Sequence, residues 1–124
     1  MPDDLYREQI ITYAQHPQYR GELTTPPTHA AAEQNLSCGD DLAVDLQVNN
    51  AGVITAVAWR GQGCIISQAA ASVVTENLIG QPLATAQQWG LPQIEEWLGA
   101  PLSPARQKCA LLVIRCLRRV ARHA

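Results

Sequence analysis

The residues best suited to chemistry are four cysteines, Cys38, Cys64, Cys109 and Cys116, and the carboxylate of Asp40 two positions after the first of them. Cys38 and Cys64 are 26 residues apart and Cys64 and Cys109 are 45 apart, so no pair has the short spacing of a zinc finger. Any common site has to be assembled by the fold. Three thiolates and one carboxylate oxygen make a four-coordinate set that suits zinc, or the two irons of a 2Fe-2S cluster. A closed structural zinc site is more commonly all Cys and His, and an oxygen ligand is the more exchangeable one, which points to something that comes and goes. Cys116 stands apart: it follows Cys109 by seven residues on the same helical stripe, about 10.5 Å further along a straight helix, so one metal cannot take both. With Leu112, Val113 and Leu117 beside it, Cys116 is expected in the core.

The surrounding pattern says what must position these groups. Leu42, Val44, Leu46 and Val48 alternate with Ala43, Asp45 and Gln47, the period of a strand with one buried face. Asn49 to Gly52 is turn chemistry, and Val53, Thr55, Val57 and Trp59 resume the alternation, so the two segments read as an antiparallel hairpin. Cys38 precedes the first strand and Cys64 follows the second, which puts both thiols at one end of that hairpin. After Gly61-Gln62-Gly63 the period becomes helical through Ile65, Ile66, Ala69, Val73, Val74 and Leu78. The free N–H groups at the start of that helix would stabilise negative charge on Cys64 sulfur. A first helix is expected over Leu5 to Gln15, an extended connection with at most one edge strand over Arg20 to Asn35, and short helices over Ala84 to Trp89 and Pro92 to Leu98. One last helix beginning at Ser103-Pro104 carries Cys109 in its opening turns and runs on to Val120.

Composition narrows the class. The 124 residues are 47% hydrophobic and 16% charged, enough for one packed domain over 1–124 and too apolar for obligate disorder. A net charge of −2 gives no reason to expect nucleic acid as a partner. The charge is polarised, however. Arg106, Lys108, Arg115, Arg118, Arg119 and Arg122 follow one another without an acid, whereas the rest of the chain holds three cations and eleven acids. The basic end either complements the negative end of a helix or docks an acidic partner. No run of 18 apolar residues is present and Met-Pro-Asp-Asp does not open like a signal peptide, so a soluble, cytoplasmic protein without a membrane role is expected. The compartment is then reducing, and the cysteines point to metal or thiol chemistry before disulfides. His16, His29 and His123 stand beside no cysteine and are not expected as ligands, and Trp59, Trp89 and Trp97 read as core or half-buried residues.

Leu5-Tyr6-Arg7, Pro17, Arg20-Gly21, Asn35-Leu36-Ser37-Cys38-Gly39-Asp40, Gly61-Gln62-Gly63-Cys64-Ile65-Ile66-Ser67 and Arg106-Gln107-Lys108-Cys109-Ala110 together resemble the U-type iron-sulfur cluster assembly proteins, the IscU/SufU/NifU N-terminal family. The SufU branch looks closest. IscU-type members carry a His where this chain has Lys108, together with a Leu-Pro-Pro-Val-Lys motif that is missing here. The interval of 45 between Cys64 and Cys109 is nonetheless near the IscU length and lacks the insertion usual in SufU. The resemblance implies an α+β fold of SufE/NifU-like type, a small antiparallel sheet packed against several helices, with the metal site at one end of the sheet. It implies Cys38, Asp40, Cys64 and Cys109 as ligands of zinc or of a transient 2Fe-2S cluster. Cys38 is implied as the acceptor of sulfur from a pyridoxal-phosphate-dependent cysteine desulfurase, which would make the protein a sulfurtransferase. In the scaffold role the same residues build a cluster for iron-sulfur acceptor or carrier proteins. Arg106, three residues before Cys109, is expected to pair with Asp40 when a ligand swaps away. Two other readings use the same residues: a domain whose zinc only ties the sheet end together, and a thiol redox module cycling a Cys38/Cys64 disulfide.

Overall fold

The computed structural model describes residues 3–36, 39–99 and 101–122. In chain order the elements are α1 (Asp3–Gln15), β1 (His29–Asn35), β2 (Asp40–Val48), β3 (Ile54–Gln62), α2 (Ile65–Glu76), α3 (Leu83–Ala86), α4 (Leu91–Leu98), α5 (Pro104–Ala110), α6 (Leu112–Arg119) and β4 (Ala121–Arg122). The strands form one antiparallel sheet in the order β3-β2-β1-β4, and the helices pack on it, an α+β architecture as the resemblance implies.

The hairpin forms where it is expected, but at the start of β3 the faces depart from the expected alternation: past a register shift at Gln47/Val48, Ile54 is buried and Thr55 exposed. Leu42, Val44 and Leu46 of β2 are buried, and each lies opposite a residue of β3 in register: Gly61, Trp59 and Val57. The turn is closed by Asn49, whose side-chain oxygen accepts the N–H groups of Ala51 and Val53 at 2.9 and 3.0 Å, while Gly52 takes φ +80°, a left-handed value that glycine adopts without strain. Over the buried face of the sheet lie Ala69, Ala70, Val73 and Val74 of α2 and Leu112, Val113 and Leu117 of α6, all essentially excluded from water. Each large side chain buried there is worth roughly 1.5–3 kcal/mol.

The Arg20 to Asn35 segment holds the one edge strand expected: β1 pairs with β2 throughout, and the two-residue β4 joins it only at His29 and Ala30, so Ala31 to Asn35 remain an edge of the sheet. The Ala-rich sequence of β1 has no alternation to betray its bounds. The helix expected over Ala84 to Trp89 is a single turn one residue earlier, Leu83–Ala86. The last helix is divided at Leu111, which forms a turn between α5 and α6. The two halves serve different neighbours: α5 packs against α2, whereas α6 lies over β1 and β2. Glu33 of β1 fixes α6 there through Arg115 at 3.1 Å and Arg119 at 2.9 Å. Half of the basic C-terminal run is thus occupied internally, since Arg118 also donates to the Trp89 carbonyl at 2.9 Å.

Candidate metal centre

Asp40 is the first residue of β2 and points to the helix side of the sheet, where it is 2% exposed. A carboxylate so deeply buried needs partners. Its Oδ1 accepts the backbone N–H of Cys64 at 3.0 Å, and its Oδ2 lies 3.8 Å from Cys64 Sγ. Cys64 occupies the N-cap position of α2 and is open to solvent, and its carbonyl accepts the Ser67 hydroxyl at 3.1 Å. Gly63 makes this approach possible. A Cβ there would stand 2.6 Å from Asp40 Oδ1 and 2.5 Å from Ser67 Oγ, closer than such atoms tolerate. Cys109, near the end of α5 and 7% exposed, completes the cluster. One ligand atom from each of Asp40, Cys64 and Cys109 lies within 4.8 Å of the other two.

The donor set fits a soft-to-borderline divalent ion. Zinc takes thiolates at about 2.3 Å and carboxylate oxygens at about 2.0–2.2 Å in a tetrahedron, which puts neighbouring ligand atoms roughly 3.5–3.8 Å apart. The observed spread is wider than that by about one ångström at most, a contraction side-chain rotation can supply. Among the described residues no second group of three such side chains comes as close. Cys38, expected as the fourth ligand, lies outside the described residues. Arg106 is exposed on α5 and forms no ion pair with Asp40 among the described residues. His29 is remote at the other end of β1, with Nδ1 3.0 Å from the Thr28 hydroxyl, and His123 lies outside the described residues. The sequence reading missed Arg20 and Gln68, which brace the glycine run before Cys64. Neither sits in a periodic pattern, and only the Arg20-Gly21 pair drew notice, as part of the resemblance.

Cys116 is fully buried and its thiol donates to the Leu42 carbonyl at 3.5 Å, the core role expected of it. Burial first, and then the negative charge of Glu33, pushes this thiol from its ordinary value near 9 up to about 12. Because folding raises the value, the neutral thiol contributes stability in full below about pH 9, and that contribution is lost as the pH climbs toward 12. Tyr13, raised by burial and then by the neighbouring Glu76 carboxylate, acts in the same direction. Stability should therefore fall above pH 9. Iodoacetamide at pH 8 should label Cys64 in the folded, chelator-treated protein and leave Cys116 untouched until denaturant is added, as read by peptide mass spectrometry; labelling of both at similar rates would contradict the burial argument.

Comparison with known proteins identifies the family. The NifU-like N terminal domain family matches residues 5–122. The iron-sulfur cluster assembly scaffold protein IscU of Thermotoga maritima is 39% identical over 77 residues, which cover 62% of this chain and only 53% of that protein. The zinc-dependent sulfurtransferase SufU of Bacillus subtilis is 27% identical over an alignment covering 93% of this chain and 88% of that protein. Among solved structures, a protein of the SUF system from Fervidobacterium islandicum, named FiSufU, superposes with a TM-score of 0.77 at 25% identity, covering 95% of this chain and 97% of its own.

Proposed function

The chain belongs to the NifU-like N-terminal domain family, and on that footing we propose that it serves iron-sulfur cluster assembly as a zinc-holding sulfur acceptor for a cysteine desulfurase. The observation that supports this most is the convergence of Asp40, Cys64 and Cys109 from three separate elements to within 4.8 Å. All three atoms lie close enough to share one ion, whereas a two-iron cluster spreads its ligands over two centres. The residues that would hold zinc are these three and Cys38. Bound zinc would keep the thiols ionised at neutral pH.

The protein's own groups do the rest. Buried Asp40 holds the Cys64 backbone in place, and Cys109 is fixed by the packing of α5 on α2. Cys38 is the acceptor. Its thiolate attacks the terminal sulfur of a persulfide carried by the desulfurase; a new S–S bond forms at Cys38 as the donor's S–S bond breaks, and the donor cysteine leaves as a thiolate. The sulfur moves with its proton and no net oxidation occurs. Arg106, exposed on the helix that carries Cys109, is the cation available to Asp40 once a ligand has left. The persulfide would pass onward to iron-sulfur acceptor or carrier proteins. Among the described residues no helix is long and apolar enough to cross a membrane.

The scaffold reading retains one specific support, the carboxylate of Asp40, whose oxygen is the exchangeable ligand that would let a cluster leave. An anaerobic assay separates the two. The protein is given iron, cysteine and a pyridoxal-phosphate-dependent cysteine desulfurase, and sulfide release, zinc content and visible absorption are followed together. Faster sulfide release with zinc retained is expected. A cluster spectrum with zinc displaced would favour scaffolding, and neither response would remove both readings.

A further inference from the structure

We propose that Arg20 is a positioning residue for the Cys64 arm of the metal centre, acting through Gln68; this rests on the metal-binding reading above. The strap after α1 is pinned across β3 and α2. Gln18 N–H donates to the buried Ser72 hydroxyl at 2.8 Å, and the Gln18 carbonyl accepts the Trp59 indole N–H at 2.7 Å. The Tyr19 carbonyl accepts Trp59 N–H at 3.0 Å, and Gly21 N–H donates to the Trp59 carbonyl at 2.8 Å. Tyr19 takes φ +59°, the only non-glycine residue with a positive φ among those described, which turns the chain so that Arg20 faces the glycine run.

From that strap the Arg20 guanidinium makes three contacts at once. Its carbon lies 5.3 Å from the centre of the Trp59 ring, one nitrogen donates to Gln68 Oε1 at 3.1 Å, and another donates to the Gly61 carbonyl at 2.9 Å. Gln68 passes the restraint on, since its Nε2 donates to the Gly63 carbonyl at 3.0 Å. Both glycine carbonyls that frame the entry to Cys64 are thereby held from one cation. The same peptide group that carries the Gly63 carbonyl carries the Cys64 N–H that rests on Asp40. Gly61 is already held by its pairing with Leu42, but Gly63, past the end of β3, has no side chain to resist rotation, and a rotation there carries Cys64 sulfur away from Asp40 and Cys109. Only a planar fork can stack on a ring and donate to two separate oxygens, so lysine does not replace arginine here.

The rival role is simple closure of the β3 edge, and the test separates them. Arg20→Ala and Gln68→Ala, singly and together, are compared with the parent for zinc affinity by chelator competition and for hydrogen exchange of the Cys64 amide relative to the Val44 amide. Each single variant should weaken zinc binding about tenfold, the lower end for a group that orients a ligand. Each should also speed exchange at Cys64 selectively, and the double variant should be no worse than the more severe single one, because the two act in series. Gln68→Ala leaves the Arg20–Trp59 stack and the Gly61 bond in place, so it reports on the relay even if Arg20→Ala folds poorly. Unchanged zinc affinity and unchanged Cys64 exchange in Gln68→Ala would overturn the proposal. If the parent itself bound no zinc, the metal reading would fail while the exchange of the Cys64 amide still decided whether the relay exists.

Discussion

Cys109→Ser lowers zinc affinity by well over about 100-fold, the upper end of what losing a group outside the ligand set costs. Serine keeps the size and the packing of α5, where Cys109 is 7% exposed, so the fold survives. What is lost is the donor: an alcohol is not ionised at neutral pH and is a poor match for an ion that prefers thiolate and imidazole. Cys64→Ser should cost as much although Cys64 is exposed, because ligation and not burial sets the effect. Asp40→Ala removes an oxygen ligand and also leaves the Cys64 N–H without its partner, so weaker zinc binding should come with faster exchange at that amide. Cys116→Ser is the control. It sits at a hydrogen bond to Leu42 in the core, and zinc affinity should not move. Chelator competition on the four variants checks the set. Parental affinity in Cys109→Ser would mean that zinc binds somewhere other than this cluster.

A methyl group added to either glycine before Cys64 has an effect almost as large, and the two positions fail differently. Gly61 pairs with Leu42 at φ +153°, and a Cβ there runs into the Asp41 carbonyl oxygen, a backbone atom of the neighbouring strand that cannot turn aside. Gly61→Ala should therefore lose roughly 2–4 kcal/mol of stability, seen as a lower urea midpoint at unchanged slope. Gly63 has no such backbone demand. Its obstruction is the Asp40 carboxylate and the Ser67 hydroxyl, both side-chain groups that can move. Gly63→Ala should keep most of its stability but push Asp40 off the Cys64 N–H, lowering zinc affinity about tenfold or more. If Gly63→Ala bound zinc like the parent while Gly61→Ala unfolded, the close packing of position 63 against Asp40 would be a matter of shape and not of the site.

Much of this arrangement was legible before any coordinates. Period-two alternation from Leu42 to Trp59, closed by Asn49 to Gly52, specifies the hairpin, because a strand with one buried face repeats every second residue and a one-residue slip would expose Leu42, Val44 and Leu46 together. The same logic locates Asp40 and Cys64 at one end of it and removes Cys116 to the core. The helical period after Cys64 likewise marks α2, and Gly99, at φ +88°, marks the end of α4. The bounds of strand β1 were not legible, since an alanine run carries no burial signal and its extent depends on pairing with β2. Nor was the division of the last helix at Leu111, where one apolar stripe serves two partners.

The amino-acid sequence by itself determined which side chains are available for chemistry and at which ends of which elements they stand, because hydrophobic period and turn residues act over a few positions. Only the tertiary structure decided that Asp40, Cys64 and Cys109 meet within 4.8 Å and that Arg20 reaches Gln68 and Gly61 from 41 to 48 residues away. Those distances follow from how helices pack on a sheet. Contacts between residues so far apart are fixed by the burial of a shared core, which no local pattern records.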